Sequence, residues 1–159
     1  MNNINNVRLA DMWPVMKEQL DAGKTVRFAP RGISMLPMLR QGIDTVVLKK
    51  APDKLKKYDL PLYLRENGQF VLHRVVKVEE ASYVMCGDNQ YMWEHGVKHE
   101  NILAVATGFY RDNTYVDCSD KKYYKYCIKQ VKKQRIKYYI TRFKHIVKKV
   151  LHIKPKTVK

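Results

Sequence analysis

Residues 60–80 read LPLYLRENGQFVLHRVVKVEE. Two apolar runs flank Asn67-Gly68, a pair that tolerates the positive φ angles of a two-residue hairpin turn. β-branched side chains dominate the second run, which suits a pleated, half-buried surface. The pattern predicts strands at 60–66 and 69–80 and commits the middle of the chain to antiparallel β structure. Its neighbours agree. KTVRFAP (24–30), DTVVLKKA (44–51), SYVMCGD (82–88) and NILAVATGFYRDNTYVD (101–117) are short, apolar and bounded by turn residues. CGDNQYMWEHG (86–96) follows the SYVMCGD strand as a connection.

Helical spacing occurs only at the ends. Val7, Leu9, Met12, Val15, Met16 and Leu20 predict a short helix, with Pro14 interrupting or restarting it and Gly23 closing it. Beyond Ser119 and Asp120, either of which can cap a helix, an amphipathic basic helix of about 33 residues runs to Pro155, ~50 Å if unbroken. Ile136, Tyr139, Ile140, Phe143, Ile146, Val147, Val150 and Leu151 form its apolar side. The expected fold class is therefore mainly β (α+β). Its parts are a helical segment at 1–23, a β domain at 24–117 and a C-terminal helix at 118–159.

Charge divides the chain at the same place. The net charge is +16 over 159 residues, and residues 119–159 hold fifteen Lys and Arg against one acid, Asp120. Three readings of that cationic helix stand open. It can meet an anionic membrane surface through Lys132, Lys133, Lys137, Arg142, Lys144, Lys148 and Lys149. It can pack on its own domain or a partner helix. It can bind nucleic acid, although phosphate binding has no need of the apolar stripe. Three cysteines, Cys86, Cys118 and Cys127, form no C-x-x-C pair, so free thiols are expected rather than a disulfide framework or zinc knuckle. No leader pattern opens the chain and no run approaches the ~18 apolar residues of a spanning helix. A cytoplasmic protein, peripheral at a membrane at most, is expected.

The stretch RGISMLPMLRQGID (31–44) sets Ser34 among Met35, Leu36, Met38 and Leu39, with Gly32 before it and Pro37 after it. A nucleophilic serine needs a rigid bend and a base within hydrogen-bond reach. His73 lies in the apolar run VLHRVV, and Asp88 and Glu94 lie just beyond the next strand. An imidazole is the usual base for a serine, and a carboxylate can orient it. His95 and His99 stand at a metal-binding spacing, but Gly96 lies between them and no third ligand is evident, so no metal and no cofactor is expected.

Gly32, Ser34, Met35, Pro37 and Leu39 match a Gly-x-Ser-Met-x-Pro-x-Leu motif, LHRVV supplies a histidine before arginine, and Gly87-Asp88-Asn89 supplies a third motif in the right order. In these residues the chain resembles the signal peptidase I clan, which also holds the self-cleaving LexA-type repressors. It resembles most the histidine-type branch of the endoplasmic reticulum, archaea and sporulation. The likeness covers roughly residues 24–110. It departs in the Gly-Asp pair, which Ile43 splits into Gly42 and Asp44, in Glu94 where the branch has aspartate, and in lacking the N-terminal membrane anchor. The resemblance implies a LexA/signal peptidase-like β fold and a serine endopeptidase that cuts a leader or small precursor peptide. Ser34 would be the nucleophile, His73 the base, and Glu94 or Asp88 the orienting acid, with Gly32, Met35 and Pro37 beside the substrate. The alternative is a catalytically silent peptide- or membrane-binding module of the same fold. A self-cleaving repressor is disfavoured, because too few residues precede the first strand for a DNA-reading domain.

Overall fold

The computed structural model describes residues 8–151, with side chains through Lys149. The expected helix start at Val7, the stop at Pro155 and the side chains of Val150 and Leu151 lie outside the described residues. Helix α1 spans Leu9–Asp21 and runs through Pro14 without a break. Proline removes one hydrogen bond from a helix interior, and burial of Met16 and Leu20 against the body offsets that loss. Gly23, at φ +76°, ends the helix. Its N–H donates to Leu20 O (3.0 Å) and that of Lys24 to Gln19 O (2.9 Å), a pairing that needs a left-handed residue at this point.

Nine strands follow: β1 (Val26–Phe28), β2 (Thr45–Lys50), β3 (Pro61–Leu64), β4 (Phe70–Leu72), β5 (Arg74–Val78), β6 (Tyr83–Cys86), β7 (Glu94–Val97), β8 (Ile102–Arg111) and β9 (Thr114–Asp117). They form two antiparallel sheets. The larger has six strands in the order β1-β2-β8-β3-β4, with β9 also on β8. The ten-residue β8 is its spine: β2 runs along one edge, while β3 and β9 divide the other. The second sheet is β5-β6-β7.

The predicted hairpin forms, with Leu64 opposite Phe70, but its turn is wider than two residues: the Arg65 N–H donates to Gln69 O (3.0 Å) and the Gly68 N–H to Arg65 O (2.9 Å), and Gly68 alone of the pair takes a positive φ, +79°. Its second strand is not continuous, however. The chain leaves the larger sheet after Leu72 and enters the smaller one at Arg74, so His73 is the single residue between two sheets. Residues 71–76 are all buried, because the crossing has protein on both sides. A second correction concerns residues 94–97, which form a strand, not loop: Glu94 pairs with Met85 and Val97 with Tyr83.

Helix α2 (Lys121–Leu151) is a single 31-residue element. Asp120 caps it, accepting the Lys122 N–H at 2.9 Å. Its first half is part of the body. Tyr123 and Cys127 join the main core with Leu39, Leu48 and Leu62. Val131 packs with Val76, Val84 and Cys86. All three cysteines are free. No helix among the described residues is long and apolar enough to cross a membrane.

Candidate active site

The Ser34 turn is pinned from beneath and from the side. Met35, Met38 and Leu39 are buried, while Ile33 is 62% exposed, so Ser34 sits where the segment passes from core to solvent. Gly32 adopts φ +90°, a left-handed angle that disfavours any side chain. Within the turn, Leu36 N–H donates to Ile33 O (3.2 Å) and Leu39 N–H to Met35 O (3.0 Å). From the loop after β6, the Asn89 backbone N–H donates to Ser34 O (2.7 Å) and Asn89 Nδ2 to Ile33 O (3.2 Å). Ser34 and His73 both line one cleft of about 320 Å³, together with Gly32, Met35, Arg65 and Gln90. Pro37 is not among its lining residues. Its peptide bond to Leu36 is cis, and its carbonyl accepts from Arg111 Nη1 at 2.6 Å.

The sheet crossing fixes the His73 ring. Tyr63 Oη, on β3, lies 3.3 Å from His73 Nδ1 and 2.6 Å from Glu94 Oε2, at the start of β7. A phenol has one proton to give, and the shorter bond to an ionised carboxylate takes it. Tyr63 must then accept from the imidazole, which puts the histidine proton on Nδ1 and leaves the Nε2 lone pair free. Arg65 grips Glu94 through Nε (2.7 Å) and Nη2 (2.5 Å). Burial alone would raise the Glu94 carboxyl, but the bonds from Arg65 and Tyr63 outweigh it and hold the group below its ordinary range. Burial and the same hydroxyl–carboxylate bond push the Tyr63 phenol up. The Glu94 carboxylate lies 4.0 Å from His73 Nδ1, so it acts on the ring mainly through Tyr63.

His73 is held neutral. Burial first, then Arg65, lowers its pKa from the ordinary 6.5 to about 4, against the opposing pull of Glu94 and Asp88. An NMR titration of the His73 ring is expected to give a midpoint near pH 4. The unfolded chain binds this proton at a higher pH than the folded one, so the stability due to the neutral ring is complete above pH 6.5. It is lost as pH falls to about 4, about 3 kcal/mol in all at 1.36 kcal/mol per pH unit. Urea midpoints measured across that window check the sign.

Asp88 is engaged elsewhere. Its carboxylate accepts from Arg74 Nε (2.8 Å), Arg74 Nη2 (2.7 Å) and Tyr126 Oη (3.0 Å). Both members of the Arg74–Asp88 pair have fully buried side chains. The spare Arg74 Nη1 protons reach Tyr58 O, Tyr123 Oη and Cys127 Sγ. Two glutamines of α2 hold the backbone of the same loop: Gln130 Nε2 donates to Asp88 O, and Gln134 Nε2 to Gly87 O at 2.6 Å. Gly87 is required for space. A Cβ there would stand 2.8 Å from Ser34 O and 3.0 Å from His73 Nε2, so the serine turn and the imidazole close on one point from two sides.

Of the expected site residues, the fold lines one cleft with Ser34 and His73, which share no hydrogen bond, sets Glu94 behind the His73 ring through Tyr63, and ties Asp88 into the supporting loop. His95 lies on β7 and His99 on the short 3₁₀ turn after it, not on one helical face. Trp93 packs as a rim aromatic, stacked on Tyr138 with ring centroids 5.4 Å apart. Tyr63, Arg65, Gln130 and Gln134 escaped sequence reasoning, and Arg74 entered it only as the arginine after His73 in LHRVV. Of the four that escaped, only the glutamines left a trace: two uncharged amides four residues apart mark one helix face among lysines. No protein-family model matches the chain, and no curated protein matches it.

Proposed function

We propose that this protein is a serine endopeptidase with a signal peptidase-like β fold, acting on a leader or small precursor peptide with small residues beside the cut. The observation that carries the reading is the shared cleft. Ser34 and a neutral His73 both line it, and Tyr63, bonded to Glu94, favours the His73 proton on Nδ1. Ser34 Oγ attacks the scissile carbonyl and Nε2 takes its proton. The imidazolium that forms is stabilised by the Glu94 carboxylate through Tyr63. Nε2 then returns the proton to the leaving amine, and the same ring activates a water to release the acyl group from Ser34. Tyr63, Glu94 and Arg65 are positioning residues. The turn's own hydrogen bonds use neither the Ser34 nor the Met35 amide, and these two N–H groups suit the developing oxyanion.

The test is a peptide library with small residues at varied positions, analysed by mass spectrometry after incubation with the full chain. Wild type is expected to generate new C-termini at small residues, and His73→Gln to generate none at equal concentration. A folded wild-type protein that cuts nothing, or a His73→Gln variant that cuts equally well, overturns the peptidase reading. Retained peptide binding without cleavage would favour a binding module instead.

A further inference from the structure

The two halves of α2 present opposite faces. At 3.6 residues per turn, each residue advances about 100° around the axis. Tyr123, Cys127, Gln130, Val131 and Gln134 are all buried on the body. Ile136, Tyr139, Ile140, Phe143, Ile146 and Val147 are all exposed, Phe143 to 67%. The second set occupies an arc of about 120°, centred about 180° around the axis from the first. The body keeps its own side of the helix as far as Tyr138, which stacks on Trp93. The apolar stripe therefore points away from the domain, and packing on this domain cannot cover it.

Cations border that stripe on both sides. Lys133, Lys137, Lys144 and Lys148 follow one edge, while Arg135, Arg142 and Lys149 follow the other, and no acidic residue occurs after Asp120. A second copy of the chain seated on the stripe would oppose cations to cations with no acid to relieve them. Nucleic acid would leave Ile140, Phe143 and Ile146 unsatisfied. A bilayer with anionic headgroups satisfies both parts, taking the stripe at the acyl boundary and the flanking side chains at the phosphates. We propose that Ile136–Lys149 lies in the interface of an anionic lipid surface, stripe inward. The placement goes beyond the peptidase reading and stands without it. The same helix borders the rim of a second pocket: Tyr91, Met92 and Trp93 line it beside His73, and Lys137 Nζ lies 4.9 Å from the Tyr91 ring centre.

Flotation of the full chain with phosphatidylcholine vesicles, with and without phosphatidylglycerol, tests the proposal. Wild type is expected to float with the anionic vesicles and to bind plain phosphatidylcholine at least about tenfold more weakly. Two double variants, Ile140→Glu/Phe143→Glu and Lys144→Gln/Lys148→Gln, are each expected to lose about tenfold or more on anionic vesicles. All four side chains are exposed, so the fold should persist, and an unchanged near-ultraviolet circular dichroism spectrum checks it. Four results overturn the proposal: wild type that stays down with every vesicle, an Ile140→Glu/Phe143→Glu variant that floats as well as wild type, a stripe-dependent dimer in sedimentation, or single-stranded RNA bound in preference to the vesicles.

Discussion

Ser34→Ala is expected to reduce peptide cleavage by about 10⁴-fold or more while changing stability by about 1 kcal/mol or less. The two halves of that expectation have separate causes. The loss is large because a nucleophile and its base act as a unit. Without the hydroxyl, Nε2 has no proton to take, and only binding and the oxyanion donors remain. The stability change is small because the turn is held by other atoms. Asn89 binds the Ser34 carbonyl, not its hydroxyl, and Met35, Met38 and Leu39 anchor the segment in the core. Cleavage kinetics on the best library peptide and urea unfolding of the same preparation measure both. Activity within tenfold of wild type would remove Ser34 from the chemistry. A large stability loss would mean that the hydroxyl serves the fold.

Arg74→Ala carries the largest expected effect on stability, about 3–5 kcal/mol, because removing one member of a buried pair strands the other. Burial disfavours the guanidinium charge, yet Asp88 more than offsets this and holds the Arg74 pKa well above its ordinary value. Once the arginine is gone, the Asp88 carboxylate keeps only Tyr126 for its charge. Tyr123, Cys127 and Met38 also lose their common partner. Single domains are stable by only about 5–15 kcal/mol, so the variant should show a much lower urea midpoint. Arg74→Met with Asp88→Asn is expected to recover part of the loss, since no uncompensated charge remains. A midpoint unchanged in Arg74→Ala would show that the pair contributes nothing to the fold.

The sequence carried the local parts of this structure well. Asn67-Gly68 marks a hairpin because Gly68 accepts the left-handed angle that closes the turn, and Ser34 and His73 stood out within short motifs. The break at His73 was hidden. A segment buried from Val71 to Val76 has no alternation, so nothing in its pattern marks the change of sheet. β7 was hidden for the opposite reason, since only Val97 in it is buried. Which acid serves the imidazole could not be read from spacing, because Asp88 and Glu94 are both near in sequence. What separates them is the arginine that each one meets: Arg74 seals Asp88 inside, while Arg65 holds Glu94 against Tyr63. The reversal of α2 escaped for a related reason. Opposed stripes in successive halves of one helix nearly cancel when the helix is read as a single amphipathic element.

The grip of Gln130 and Gln134 on the carbonyls of residues 88 and 87 has a mechanical consequence. These amides stand within about three turns of Ile136 and Ile140 on the same rod. A torque applied to the distal end is thus delivered to the backbone that seats the serine bend against the imidazole ring. If the distal half docks on lipid as proposed, that docking and the seating of the Ser34 bend are mechanically linked, and cutting the chain before Tyr123 would remove the two amides that hold residues 87 and 88.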